Sequence, residues 1–524
     1  EFLRSIGRLG PGALDLGEGD AEADGTGHGE LLEGDAQNIA TRPTNDMLAV
    51  MALHARLTKE IRQGPTGSKV GAFFDLDQTL VAGFSATSFV RERIVSGKMT
   101  PRDIAGTFYG ALSFGLGRMG FSGLMTATTQ AYRGVAESIL EEVGEEVFVK
   151  HLAKQIYPES RALVDAHKQA GHTVAIISSA TRYQVGPFAR DLGIEHIMCT
   201  ELDVEDGVFT GEVIHPTCYG EGKAVAARLI AEREGVDLDE SYFYTDSDED
   251  LPLLEAVGRP RPLNPNRALA QIAKERRWPV RRFKSRGRPG VGDLVRTGLT
   301  YASLAPSLWA GAAAGIVNGS YREALNVSGA VWGDLATSLA GIDLRVEGEE
   351  NVWAARPAVF LFNHQSALDM VLMLKIVRRD MTGVGKMEIQ RNPVFGPIMT
   401  AAGVVFIDRA NSAKAIDALE PAVRALKHGR SLVIAPEGTR SATPRLGPFK
   451  KGAFHMAMQA GVPIVPVVFR NVLDAFPKNA RVVRPATIEA KVLPPIDTSD
   501  WTVEGLDDEI AAIRQRYLDI LHQE

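Results

Sequence analysis

Short apolar runs alternate with helical stretches along much of the chain. Residues 69–76, 173–177 and 242–244 have the apolar character of short buried strands, and helical patterns lie between them. Strands that alternate with helices in this way are typical of βαβ units with a parallel sheet. Residues 84–157 are instead nearly all helical in pattern and follow the first strand directly. We therefore predict an α/β domain into which a helical cap is inserted.

A second set of strand-like runs begins after Gly341. It comprises residues 342–348, 357–362, 403–407, 431–435 and 462–469, again with helical patterns between them. No internal repeat joins the two sets. The chain is therefore predicted to hold two different α/β domains.

The stretch between the two sets has an unusual charge pattern. Residues 259–288 contain eleven Lys or Arg and a single acid, Glu275, whereas the 25 residues 297–321 carry no charge. A run of that length can cross a bilayer, but this one is rich in Gly, Ala and Ser and has Pro306 near its middle. Interfacial helices on an anionic membrane are favoured, while a spanning helix and buried soluble helices stay open. No nucleic-acid motif accompanies the basic residues, so nucleic acid is not an expected partner.

Composition changes this picture only at the start of the chain. The 524 residues are 45% hydrophobic and 23% charged, with a formal net charge of −7 and two cysteines, which is typical of globular proteins without a disulfide scaffold. Residues 9–41 contain eight acids and no Lys or Arg, and lack the pattern of a signal peptide. The predicted units are a disordered acidic tail at 1–45, a first α/β domain at 46–290 with its cap at 84–157, a membrane-associated helical segment at 291–342 and a second α/β domain at 343–524.

Polar side chains suited to phosphoryl transfer follow the predicted strands of the first domain. Asp75 and Asp77 come directly after the first strand, where ligands of open α/β sheets bind. One carboxylate can attack phosphorus, and another can manage the proton of the leaving group. A hydroxyl, a cation and two further carboxylates follow in order along the chain: Ser178, Lys223, Asp246 and Asp250.

With these elements in this order, residues 69–283 resemble the haloacid dehalogenase superfamily, specifically its phosphoserine-phosphatase-like branch. The resemblance implies a Rossmann-like fold in which Asp75 is the nucleophile that becomes an aspartyl phosphate, while Asp77 is the general acid and base. It also implies that Ser178 and Lys223 bind the transferring phosphoryl group and that the cap selects the substrate.

The same resemblance implies a magnesium ion. Asp75, the backbone carbonyl of Asp77 and Asp246 would hold Mg²⁺, and Asp250 would support the metal or its waters. The sequence T-D-S-D-E-D at 245–250 lacks the glycines that are usual in phosphoserine phosphatases. The phosphatase substrate therefore stays open, and a lipid or glycerol phosphate is preferred to phosphoserine.

A second candidate site begins with N-H-Q-S-A-L-D at 363–369. If His364 lies where the strand meets the helix, Asp369 one turn inside the helix can hold one ring nitrogen. The other nitrogen is then free to take a proton from an alcohol. Three further motifs follow: F-I-D-R at 406–409, P-E-G-T-R-S at 436–441 and V-P-I-V-P-V at 462–467.

These motifs make residues 344–469 resemble the glycerolipid acyltransferase family. The resemblance implies that His364 is the general base, oriented by Asp369. It also implies a reaction in which an acyl thioester acylates 1-acylglycerol 3-phosphate to give phosphatidate. The residues implied in acceptor binding are Lys386, Arg409, Glu437, Gly438, Thr439 and Arg440, with Arg440 the candidate for the phosphate itself.

The first hypothesis is thus a membrane-associated bifunctional enzyme whose active sites face the cytoplasm. One alternative is an active acyltransferase beside a non-catalytic phosphatase-like scaffold, and another is a phosphoserine phosphatase with a lipid-anchoring tail. The expected substrates of the acyltransferase are lysophosphatidate and either acyl-CoA or an acyl carrier protein. The acyl chain length and the oligomeric state stay open.

Overall fold

The computed structural model describes residues 58–95, 109, 113, 120–407 and 419–523. The predicted acidic tail at 1–45 lies outside these residues, as do Arg409 and part of the predicted cap. The described residues form two large sheets with separate hydrophobic cores. The α/β architecture predicted for both halves is therefore confirmed.

The first sheet is parallel throughout. The strands of this half are β1 (Val70–Phe74), β2 (Thr173–Thr181), β3 (His196–Thr200), β4 (Leu202–Glu205), β5 (Val208–Val213), β6 (Asp237–Thr245) and β7 (Arg259–Pro262). Five of them pair in the order β3-β2-β1-β6-β7. All of β1 is buried, with Phe73 and Phe74 in two different core clusters. Burial on both faces explains why β1 is a continuous apolar run rather than an alternating one.

Helices follow the strands of the first sheet and also form the described part of the cap. They are α1 (Ser85–Val95), α2 (Phe121–Thr129), α3 (Glu137–Val147), α4 (Pro158–Gln169), α5 (Arg182–Leu192), α6 (Glu221–Glu234), α7 (Leu251–Ala256) and α8 (Arg267–Glu275). The antiparallel hairpin of β4 and β5 was not predicted, and it packs against α2. The cap is therefore supported from outside the segment inserted between β1 and β2.

The second sheet is mixed. Its strands are β8 (Ile342–Glu347), β9 (Val359–Phe362), β10 (Met381–Lys386), β11 (Val405–Ile407), β12 (Ser431–Ile434), β13 (Ile464–Arg470) and β14 (Ala486–Val492). They pair in the order β11-β10-β12-β9-β13-β14-β8, and only β13 and β14 are antiparallel. β10 was not predicted because its sequence, with two glycines, has little apolar pattern.

The remaining helices precede the strands of the second sheet, connect them or follow the last one. They are α9 (Val291–Ala302), α10 (Leu304–Asn318), α11 (Tyr321–Ala340), α12 (Asn351–Ala354), α13 (Asp369–Val377), α14 (Met387–Gln390), α15 (Phe395–Ala401), α16 (Glu420–Lys427), α17 (Gly452–Ala460), α18 (Val472–Ala475) and α19 (Leu506–Leu521). Of these, α9, α10 and α11 occupy the region predicted to be a membrane-associated segment.

The uncharged run at 297–321 is divided between two helices. α9 ends at Ala302, and α10 ends before Gly319, whose φ is +60°. α10 packs closely on α11, since a Cβ added at Gly311 would lie 1.8 Å from Oγ of Ser328. Over the residues that the structure describes, no helix is both long enough and apolar enough to span a membrane.

The segment at 285–287 ties the first half of the chain to the second. The buried guanidinium of Arg286 donates to the backbone carbonyls of Leu473 and Asp474 at 3.1 and 3.2 Å. Arg484, beyond α18, donates to the carbonyls of Ser285 and Gly287. These contacts join the two halves through backbone carbonyls that lie outside the strands.

Candidate active sites

Three neighbouring strands of the first sheet bring polar side chains to one edge. β1 lies between β2 and β6, and all three run parallel. Asp75 follows β1, Ser178 lies towards the end of β2, and Asp246 follows β6. Because the carboxyl ends of parallel strands meet at the same edge, the structure places these three predicted residues on one side of the sheet.

Lys223 is the cation at this edge. It lies in the first turn of α6, and its Nζ donates to Oδ1 of Asp75 and to Oδ2 of Asp250, both at 2.8 Å. Burial by itself would lower the pKa of Lys223, but the charges of Asp250 and Asp75 outweigh burial and raise the pKa above its ordinary value. The ammonium therefore stays charged and links Asp75 to the last acidic motif.

Asp250 is occupied by protein partners. Besides the ammonium of Lys223, its Oδ2 accepts a hydrogen bond from Oγ1 of Thr245, and the side chain is buried. This arrangement agrees with a supporting role, in which Asp250 fixes Lys223 instead of offering a free carboxylate to a ligand.

Asp77 faces the start of the cap. Its Oδ1 accepts the backbone N–H of Ser85 at 2.8 Å, and its Oδ2 accepts the hydroxyl of Ser85 at 3.2 Å. Burial raises the pKa of Asp77 to about 7, although the hydrogen bond from the Ser85 N–H opposes that rise. A carboxyl group that retains a proton near neutral pH is suited to general acid catalysis.

Asp246 adds to an excess of negative charge. Burial and then the charge of Asp75 raise the pKa of Asp246 to about 8, and burial also raises the pKa of Asp75. Across the described ranges, no three Asp, Glu, His or Cys side chains are grouped closely enough to hold a metal ion. Mg²⁺ commonly binds through one or two carboxylates and keeps several waters. Asp75 and Asp246 are two such carboxylates at this edge of the sheet, and their binding of Mg²⁺ together with the carbonyl of Asp77 stays a prediction.

The described part of the cap reaches the loop that carries Lys223. Oγ of Ser122, on α2, lies 3.0 Å from Oγ1 of Thr217. The ring of Phe121 stacks on that of Tyr219, with centroids 4.3 Å apart. Because this loop leads directly into α6, hydroxyl and aromatic groups of the cap lie close to the phosphoryl-binding edge.

The second sheet places His364 after its central strand, β9. Nδ1 of His364 lies 2.8 Å from Oδ2 of Asp369. Asp369 is not one turn inside the helix, as we predicted, but is the first residue of α13. The same Oδ2 accepts the backbone N–H groups of Gln365 and Ser366, at 2.8 and 2.9 Å. The loop therefore folds around the carboxylate that holds the imidazole.

Asp369 is a fully buried side chain whose bonds all lie on one oxygen. Its Oδ1 has no hydrogen-bond partner among the residues described. With Nδ1 of His364 held by Oδ2, Nε2 is the ring nitrogen left to accept a proton. The pair thus has the geometry of an oriented general base.

Glu437 contacts backbone N–H groups through both of its carboxylate oxygens. Its Oε1 accepts the backbone N–H of His364 at 2.7 Å, and its Oε2 accepts that of Gly447 at 2.9 Å. The side chain is buried, and the N–H of Ser441 donates to the carbonyl of His364 at 2.7 Å. Both carboxylate oxygens hold backbone, so Glu437 positions the histidine. Its role in acceptor binding stays a prediction.

A large, mainly apolar cavity of about 1350 Å³ opens beside His364. α9, α10 and α11 contribute to its walls together with residues of the second sheet. Four of the predicted acceptor-binding residues line it: Lys386, Gly438, Thr439 and Arg440. Arg409 lies outside the described residues. The imidazole is therefore at the margin of a space that has both apolar and cationic walls.

Two more cations of this cavity, Lys450 and Lys478, were not among the predicted binding residues. A Cβ at Gly438, whose φ is +72°, would lie 3.1 Å from Cδ of Lys450. Nζ of Lys478 donates to the carbonyl of Arg440 at 2.7 Å. Lys450 follows the P-E-G-T-R-S motif closely enough to be suspected from sequence, but Lys478 lies beyond all the motifs.

Two family models match the chain. Residues 72–255 match the model for haloacid dehalogenase-like hydrolases, and residues 343–470 match the model for acyltransferases. The first match covers most of the first sheet, without β7, and contains the first candidate site. The second covers most of the second sheet, without β14, and contains the second candidate site except Lys478.

The similar proteins include three that each match one half of the chain. A probable phosphatase of Mycobacterium tuberculosis is 36% identical over 219 residues, which are 41% of this chain and 76% of that protein. A phosphoserine phosphatase of the same organism is 34% identical over 253 residues, 47% of this chain and 82% of that protein. A 1-acyl-sn-glycerol-3-phosphate acyltransferase of Limnanthes alba is 38% identical over 194 residues, 37% of this chain and 68% of that protein. The chain therefore belongs to two enzyme families, the haloacid dehalogenase-like hydrolases through its first sheet and the acyltransferases through its second.

Proposed function

We propose that the second half transfers an acyl group from an acyl thioester to 1-acyl-sn-glycerol 3-phosphate, giving phosphatidate. The observation that carries this proposal is the His364–Asp369 pair at the margin of an apolar cavity with cationic residues. The name of the Limnanthes alba relative supports the choice of acceptor. The donor would be acyl-CoA or an acyl carrier protein.

The chain's own residues supply a base and a charged binding wall. Nε2 of His364 takes the proton of the acceptor hydroxyl as its oxygen attacks the thioester carbonyl. The thiolate leaves and takes this proton from the imidazolium, so the imidazole returns to its neutral form. Asp369 stabilises the imidazolium in between. Arg440 binds the acceptor phosphate, because a guanidinium matches phosphate oxygens in charge and geometry.

The first half is proposed to hydrolyse a phosphomonoester through an aspartyl phosphate. An oxygen of Asp75 attacks phosphorus, and Asp77 gives its proton to the departing alcohol. Asp77 then takes a proton from the water that cleaves the aspartyl phosphate. Lys223 and Ser178 hold the phosphoryl oxygens. Mg²⁺, when bound, would neutralise the phosphoryl charge at this site.

A lipid or glycerol phosphate is the proposed substrate of this hydrolase. Support comes from the aromatic pair of Phe121 and Tyr219 near Lys223. A phosphoserine pocket needs a cation for the substrate carboxylate. Arg133 of the cap region is a candidate for that cation, but its side chain lies against Gly211 of β5. The name of the second Mycobacterium tuberculosis relative favours phosphoserine instead, which makes phosphoserine the second candidate.

We further propose that the protein associates with an anionic, cytoplasm-facing membrane surface. Trp309, Ile316 and Val317 of α10 are 77%, 83% and 84% exposed. Upstream of α9, several exposed cations have no acidic partner within the described residues: Arg267, Lys274, Arg277, Arg282, Lys284 and Arg288. Exposed apolar side chains and exposed cations are both suited to an anionic interface, and the cytoplasmic leaflet carries such charge.

His364→Ala is expected to lower acyl transfer to lysophosphatidate on the order of 10²–10⁴-fold, because the general base is lost. Asp369→Asn should lower it less, since part of the imidazole population stays correctly oriented. Transfer from labelled acyl-CoA by the purified protein measures both. Phosphate release by the same preparations is the control and should not change. Equal acyl transfer by wild type and His364→Ala would contradict the assignment.

Asp75→Asn is expected to abolish phosphate release and to leave acyl transfer intact, because the nucleophile is lost from one site only. Release should require Mg²⁺ and should be faster with lipid and glycerol phosphates than with phosphoserine. A panel of phosphomonoesters, assayed with and without a chelator, measures this. The highest kcat/KM on phosphoserine would refute the substrate preference. No wild-type release on any substrate would favour a non-catalytic scaffold.

Combined Arg282→Glu and Lys284→Glu substitution is expected to weaken binding to anionic vesicles by about thirtyfold or more, since each cation near the surface contributes about 1 kcal/mol. Co-sedimentation with phosphatidylglycerol-containing vesicles at fixed salt measures the effect. Lys427→Glu with Arg516→Glu, which changes the net charge equally at other exposed positions, should bind like wild type. Equal weakening in both pairs would mean that only total charge matters.

A further inference from the structure

Lys478 is a half-buried lysine in the chain beyond α18, outside every motif that marks the acyltransferase. It also lies beyond the matched range 343–470. Nothing in its sequence neighbourhood, F-P-K-N, signals a function. Its position in space does, because its side chain lines the cavity that His364 also lines.

The ammonium of Lys478 is held at the end of the P-E-G-T-R-S loop. Nζ donates to the carbonyl of Arg440 at 2.7 Å. An ammonium has three donors, so two remain beyond this bond. The hydrogen bond fixes the charge of Lys478 beside the residue proposed to bind the acceptor phosphate.

The surrounding charge is unbalanced. Arg440, Lys450 and Lys478 all line the cavity, and none of them forms an ion pair with an acid in the part of the chain that the structure describes. Glu437 accepts a backbone N–H group on each oxygen and forms no ion pair with any of these three cations. Burial and then the charge of Arg440 lower the pKa of Lys478. An anionic group placed between these cations would relieve their repulsion.

Lys451, the residue after Lys450, has a different environment from that of Lys478. Its Nζ lies 2.7 Å from Oδ1 of Asp507, at the start of α19, and it does not line the cavity. A lysine of this region with an ordinary structural role is thus paired with an acid, whereas Lys478 is not.

We propose that Lys478 binds a phosphate oxygen of the acceptor and so sets the preference of the acyltransferase for phosphorylated over neutral glycerolipids. The inference rests on the proposed acyl transfer and adds a residue to its acceptor site. Its bond to the Arg440 carbonyl holds Lys478 next to Arg440. The two residues would therefore bind the same phosphate group. Lysine provides a point charge there, and arginine provides a planar pair of donors.

Lys478→Met tests this, with Lys451→Met as the matched control. Acyl transfer is measured with lysophosphatidate and with monoacylglycerol, which lacks the phosphate. Lys478→Met should raise KM for lysophosphatidate roughly tenfold or more, because a hydrogen bond to a charged group is lost. Its kcat, and its activity on monoacylglycerol, should change less than twofold. Lys478→Arg should recover most of the affinity.

Unchanged KM for lysophosphatidate in Lys478→Met would overturn the proposal, as would an equal loss on both acceptors. Phosphate release by the same variant reports that the first half is folded, and retained transfer to monoacylglycerol reports that the second half is. Calorimetric titration with lysophosphatidate measures acceptor binding without turnover. If wild type transfers no acyl group but its binding still depends on Lys478, the proposed reaction fails and the phosphate pocket stands. If binding is the same in wild type and Lys478→Met, the pocket fails.

Discussion

A buried charge needs a partner inside the protein, and both candidate sites are built on that requirement. In the first, the ammonium of Lys223 is held by Asp75, a residue 148 positions away in the chain, and by Asp250. In the second, the buried carboxylate of Asp369 receives the imidazole of His364 and two backbone N–H groups. The first site therefore forms only when its sheet does, because Asp75, Lys223 and Asp250 come from separate elements. In the second, the partners of Asp369 all lie within the loop at 364–366 that precedes α13.

The helices between the two sheets, α9, α10 and α11, both separate the two domains and form part of the second candidate site. α9, α10 and α11 form part of the cavity wall beside His364 while also exposing apolar side chains such as Trp309. Just before them, Arg286 binds the carbonyls of Leu473 and Asp474. Residues 285–340 thus join the two halves, form part of the cavity wall beside His364 and carry the apolar side chains of the proposed membrane contact.

The sequence predicted best those features that depend on order along the chain. Strand ends placed Asp75 and Asp246 at one edge because parallel strands share a direction. The structure changed what depends on the contacts of single side chains. A carboxylate in a motif can face a ligand or a backbone amide, and spacing does not distinguish the two, so the contacts of Glu437 with the backbone of His364 and Gly447 were not predicted. Lys478 had no motif at all, since only the folded chain brings it to Arg440.

The role of Glu437 offers the most direct test of the claim that buried carboxylates assemble these sites through the backbone. Glutamine keeps the size of the side chain but has only one acceptor oxygen, so the N–H of either His364 or Gly447 loses its partner and the backbone around His364 should shift. Steady-state acyl transfer by Glu437→Gln should show kcat lowered about tenfold or more with KM for lysophosphatidate unchanged, which is the pattern of misplaced chemistry rather than lost binding. A raised KM with normal kcat would contradict the account and make Glu437 a substrate ligand.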